Sequence, residues 1–114
     1  MARTPASIER ELRLLIRSKG IEFRSRKIKG GSGLVVFGDG ERPHLIVLDP
    51  AQGGLIENAI HELLHVLFRE EMEVWAKELD EAINSAIEDC VVRYINRSEK
   101  RVDWWRAAVA ERLD

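Results

Sequence analysis

The sequence predicts an α+β fold built as one domain over residues 1–114. Apolar residues recur at helical spacing at the N-terminus and again after residue 50. Between these stretches the period shortens to the alternation and short apolar runs of strands. The length, with 45% apolar and 33% charged residues, suits a single globular unit with a real core.

The elements follow in order. Thr4-Pro5 reads as an N-cap followed by proline at the first helical position, and Ile8, Leu12, Leu15 and Ile16 form one apolar row. This predicts a helix within 1–20, with Gly20 as its stop. Residues 21–49 read as a sheet. Ile21-Glu22-Phe23-Arg24 alternates, Leu34-Val35-Val36-Phe37 is an apolar run, and His44-Leu45-Ile46-Val47-Leu48 is a third strand ended by Asp49-Pro50. Turns at Gly30 to Gly33 and Gly38 to Pro43 make a small antiparallel meander the expected arrangement. The first turn lacks the spacing of a phosphate loop and reads as a hairpin. A helix is expected over 55–69, after Gly53-Gly54. A long one follows over 73–97, carrying Val74, Trp75, Leu79, Ile83, Ile87, Cys90, Val91 and Tyr94. A short one closes the chain over 103–113, with Trp104 and Trp105.

His61-Glu62-Leu63-Leu64-His65 lies in the second of these helices. Residues four apart share a helix face, about 6 Å apart along the axis. Two imidazoles so placed can close on one Zn²⁺, and Glu62 is placed to act as a base toward water. The chemistry is metal-assisted attack of water on a carbonyl, most often a peptide bond. Two of the three histidines fall in this motif, and its neighbours Ile60, Leu63, Leu64, Val66, Leu67 and Phe68 are apolar. A buried imidazole pair needs partners, which a metal supplies.

Composition excludes several classes. The net charge of −2 gives no nucleic-acid footprint. The basic residues Arg24, Arg26, Lys27 and Lys29 read as a solvated strand face. The single cysteine, Cys90, allows no internal disulfide and reads as a small core residue, which suits a reducing cytoplasm. No signal-peptide pattern and no membrane-spanning run is present.

A catalytic zinc usually takes three protein ligands. No histidine follows His65, so a carboxylate is expected from Glu78, Asp80, Glu81, Glu88 or Asp89. His44 and Tyr94 are the candidates for a donor to the oxyanion, though each also reads as a packing or surface residue. Asn58, Asp80 and Asn84 are candidates to accept from the second ring nitrogen of a ligating histidine.

The motif at 61–65 followed by Asp80-Glu81-Ala82-Ile83 resembles the gluzincin metallopeptidases, the thermolysin-like group, over roughly Leu45 to Ile95. Within that group the chain resembles the minigluzincins, and it is also similar to small phage-type proteins with a strand ending in Asp-Pro before the same motif. The resemblance implies a zincin-like fold and a zinc endopeptidase acting on a peptide or protein. It implies His61, His65 and Glu81 as zinc ligands, with Glu88 as runner-up to Glu81, and Glu62 as general base. It also implies that the strand His44 to Leu48 binds an extended peptide by strand addition. Two features depart from the pattern: the gap from His65 to Glu81 is short, and Ser85 stands where the larger gluzincins have an Asp. A metal-stabilised binding or regulatory module without turnover is the alternative. A latent peptidase whose Trp104-Trp105 tail covers the cleft is a third reading, and the same tail could instead be core packing or a dimer contact.

Overall fold

A computed structural model describes residues 3–72 and 77–113. The fold is α+β, with five α-helices and a small three-stranded sheet among the described residues. Helix α1 (Pro5–Arg17) leads into β1 (Ile21–Ser25), β2 (Gly33–Val36) and β3 (His44–Leu48). A single 3₁₀ turn (Pro50–Gln52) precedes α2 (Leu55–Leu67), the short α3 (Arg69–Met72), α4 (Lys77–Asn96) and α5 (Glu99–Arg112). The expected helix positions Val74 and Trp75 lie outside the described residues.

Thr4 caps α1 as its sequence suggests. Its hydroxyl accepts from Ser7 N at 3.1 Å, and Ser7 Oγ accepts from Thr4 N at 2.9 Å, a reciprocal cap with Pro5 just inside it. The helix stops at Ser18, before Gly20, because the Ser18 backbone is extended and its N–H already bonds Leu15 O. Gly20 therefore does not act as the stop.

The sheet is mixed, in the order β1-β3-β2, and not an antiparallel meander. β3 pairs parallel with β1 and antiparallel with β2. β1 and β2 thus run in opposite directions, with β3 inserted between them. The segment 26–32 arches over the C-terminal end of β3, so the glycine-rich stretch is no hairpin turn. Arg26 N bonds Leu48 O at 3.0 Å and Asp49 N bonds Ser32 O at 3.0 Å as the arch crosses. The physical reason is burial. β3 is the most apolar strand and takes the centre, where a neighbour on each edge helps to bury Ile46, Val47 and Leu48. The half-charged β1 and the four-residue β2 take the edges.

Asp49 fixes the crossing. Its side chain accepts from Ile28 N at 2.9 Å, Ala51 N at 3.0 Å and Gln52 Nε2 at 3.4 Å. The bond from Ile28, set against the cost of burial, holds its carboxyl below the usual range, with Ala51, Gln52 and Lys27 helping.

The core lies between the sheet and the helices. Ile21, Phe23, Ile46 and Leu48 meet Ala59, Ile60, Leu63 and Leu64 of α2. Ile8, Leu12 and Ile16 of α1, Val91 and Ile95 of α4, and Trp105 and Val109 of α5 close the other sides. Cys90 is exposed, contrary to its reading as a core residue. The buried row of α4 runs through Asn84, Val91 and Ile95, one position round from the purely apolar row.

Helix α5 begins at Glu99, four residues before the expected start. The Ser98 hydroxyl accepts from Arg101 N, and Glu99 sits in the first turn. Trp105 is fully buried and donates from Nε1 to Glu9 Oε2 at 2.9 Å, the same oxygen that Arg13 Nε meets at 2.6 Å. Trp104 lies under the guanidinium groups of Arg13 and Arg17. The tail is core packing. Trp105→Ala is expected to destabilise the fold by about 3–5 kcal/mol, read as a drop in the urea midpoint at unchanged slope; a loss under about 1 kcal/mol would contradict this packing.

Candidate metal centre

Helix α2 divides its circumference between core and cleft. Ala59, Ile60, Leu63 and Leu64 are buried on the core side. Helical spacing then turns Asn58, His61, Glu62 and His65 toward a cleft of about 340 Å³. The imidazoles of His61 and His65 stand 4.9 Å apart with ring planes at 77°.

Helix α4 supplies the opposite wall. One row of its side chains, Glu81, Asn84 and Glu88, faces α2 at helical spacing. His65 Nε2 lies 3.2 Å from Glu81 Oε1, and His61 Nε2 lies 3.6 Å from Glu81 Oε2. Glu88 meets the other side of the same ring, with Oε1 2.5 Å from His61 Nδ1. Asn84, fully buried, donates from Nδ2 to the His61 carbonyl at 3.2 Å. That bond ties the backbones of α2 and α4 together at the site.

Ser32 and Gly33, where the arch enters β2, close the third side. A Cβ at Gly33 would sit 3.0 Å from Leu48 Cδ2, 3.3 Å from Val47 O and 3.4 Å from Glu62 Cγ. The absence of a side chain there lets β2 lie directly beside Glu62.

Glu62 is 6% exposed. Its Oε2 has no hydrogen-bond partner among the described residues. Burial raises its pKa to about 7, opposed by His61 and reinforced by Glu81 and Glu88. Burial also lowers the pKa of His65, helped by His61 and opposed by Glu81 and Asp80. A lowered value favours the neutral imidazole, the form that ligates a metal.

The donor set fits a divalent cation. One nitrogen each from His61 and His65 and one oxygen from Glu81 all lie within 4.8 Å of one another. Tetrahedral Zn²⁺ with bonds near 2.0–2.2 Å separates its ligand atoms by about 3.3 Å. The separations to Glu81, 3.2 Å from His65 Nε2 to Oε1 and 3.6 Å from His61 Nε2 to Oε2, lie either side of that value, each to a different carboxylate oxygen. No protein-family model, no curated protein and no solved structure matches the chain.

The other candidates fall elsewhere. His44 packs edge-on against Phe37 and accepts from Gly38 N at 3.0 Å, while burial and the Arg69 charge lower its pKa. Tyr94 lies under Arg101. Neither lines the cleft, so neither serves as the oxyanion donor. Asp89 pairs outward with Arg93 at 3.0 Å. Asp80 is close enough for its charge to act on His65. The side chain of Glu78 lies outside the described residues. Asn58 donates to Gly53 O at 3.0 Å and takes no part in orienting a ring. No residue of α5 lines the cleft, which removes the support for a tail lying over it. Sequence reasoning missed Ser32 and Gly33, because their approach depends on the unexpected strand order.

Glu62 carries a pH dependence with a definite sign. Its carboxyl holds a proton more tightly when folded, so the metal-free protein loses stability as pH rises from about 4.5 to about 7. At roughly 1.4 kcal/mol for each tenfold change in proton affinity, the loss is about 2–3 kcal/mol. Urea titrations in chelator should show wild type falling relative to Glu62→Gln across that window; parallel profiles would contradict the burial cost.

Proposed function

We propose that this chain is a zinc-dependent peptide hydrolase of gluzincin type, close in plan to the minigluzincins. One observation carries the reading. Two imidazole nitrogens and a carboxylate oxygen converge within bonding reach of one cation, beside a buried carboxylate with an unpartnered oxygen. His61, His65 and Glu81 would hold Zn²⁺. When bound, the ion supplies Lewis acidity, polarising a carbonyl and acidifying water.

The chain's own residues supply the rest. Glu62, which lines the cleft, would take the proton of the attacking water and then return it to the leaving amine. Its raised proton affinity suits both transfers near neutral pH. Buried surroundings strengthen each of these electrostatic contacts.

Substrate placement follows from the sheet. β3 has neighbours on both sides, so it offers no free edge and cannot add a peptide strand. β2 is the edge next to the cleft. Asp49 N bonds Ser32 O, which makes Gly33–Leu48 a non-hydrogen-bonded pair in the ladder. The N–H and C=O of Gly33 and Val35 therefore point to the free edge. An extended peptide pairing there would pass beside His61 and Glu62. Leu34 and Val36 stand exposed on the outer face of that strand, available to its side chains.

The test has two arms. Purified protein dialysed against zinc should retain close to one ion per chain, and it should cleave a peptide library. Glu62→Gln should keep the ion and lose at least about 100-fold in rate, as expected for removal of a general base. Cleavage by Glu62→Gln at the wild-type rate would remove the mechanism. Retained zinc with no cleavage by wild type would instead favour a binding module.

A further inference from the structure

His61 differs from His65 in one respect. Both present Nε2 to Glu81, but among the described residues only His61 has a carboxylate on its far nitrogen. Glu88 lies seven residues beyond Glu81, two turns along α4 on the same face. It approaches Nδ1 to 2.5 Å, while Nε2 faces Glu81 at 3.6 Å. A neutral imidazole carries one proton on one of its two nitrogens. A carboxylate only accepts, so a bond to Glu88 requires that proton on Nδ1. The Nε2 lone pair is then left free on the cleft side.

Asn84 agrees with this. Its Nδ2 lies 3.3 Å from Nδ1 and 3.2 Å from the His61 carbonyl. With Nδ1 protonated, the amide N–H donates to the carbonyl and makes no claim on the ring. Glu88 itself is only a quarter exposed, which shields the bond from competing water.

We propose that Glu88 is a positioning residue, which sets the tautomer and angle of His61 so that Nε2 faces the ion and Glu88 does not bind it directly. The inference rests on the metal site of the proposed function but not on hydrolysis. Glu81 gives the ligand, Asn84 clamps the backbone and Glu88 orients the ring. One face of one helix thus organises His61 completely. Outer carboxylates of this kind tune the affinity of a site without completing it.

The experiment compares Glu88→Gln, Glu88→Asp and Glu81→Gln with wild type. Zinc affinity is read by competition with a chromophoric chelator. Histidine tautomers are read by long-range ¹H–¹⁵N NMR of the metal-free proteins at pH 8. Wild type should show His61 protonated at Nδ1. Glu88→Gln should shift it toward Nε2–H and weaken zinc by about 10–100-fold, Glu88→Asp should restore part of both, and Glu81→Gln should leave the tautomer unchanged. A Glu88→Gln protein with unchanged tautomer and zinc affinity would overturn the assignment. So would a loss of zinc as large as that of Glu81→Gln with no change of tautomer, since Glu88 would then be a ligand. Zinc binding and tautomer respond whether or not any peptide is cut, so failure here is distinct from failure of the hydrolase reading.

Discussion

Helix α2 must serve two environments at once. Ala59, Ile60, Leu63 and Leu64 are fully buried against the sheet and α1, while His61, Glu62 and His65 border the cleft. The two sets interleave in sequence, so α2 cannot turn about its axis without exposing core. Burial of Ile60, Leu63 and Leu64, each stabilising by about 1.5–3 kcal/mol, therefore fixes the direction in which the helix presents both histidines. The site is held rigid by the hydrophobic core behind it. Such support from packed elements is what a metal site needs, since small displacements of its ligands are costly.

Polar side chains on α4 answer those on α2. Asn84 is fully buried at the helix–helix contact, where its Nδ2 bonds the His61 carbonyl and its Oδ1 has no hydrogen-bond partner among the described residues. Glu81 and Glu88 flank it at helical spacing. Their negative charges would repel Glu62 and each other if nothing offset them, and they already raise the proton affinity of Glu62. A divalent cation between Glu81 and the two imidazoles would offset that charge.

Much of this was legible in the sequence, and the remainder has identifiable causes. The motif at 61–65 and the helix carrying it follow from local periodicity and local spacing. So do the Thr4-Pro5 cap and the apolar face of α1. Glu81 is named by the resemblance alone, and the structure brings its carboxylate beside both imidazoles. Strand order was not legible because it depends on which strand takes a neighbour on both edges, a tertiary property. The seven residues between Ser25 and Gly33 did carry a hint, since a tight hairpin uses about two to five. Cys90 was misplaced because apolarity alone assigned the inner row of α4. The inner row in fact includes the polar residues that face the site. Helix α5 began earlier than expected because Ser98-Glu99, a short capping signal, was outweighed by the pair of tryptophans.

The central claim is that one cation sits between His61, His65 and Glu81, and a crystal of zinc-loaded protein tests it most directly. Anomalous difference maps recorded above and below the zinc absorption edge are the measurement. A single strong peak about 2.0–2.2 Å from Nε2 of both imidazoles and from a Glu81 oxygen is the expected result. Ordered imidazoles with no peak between them at saturating zinc would contradict it.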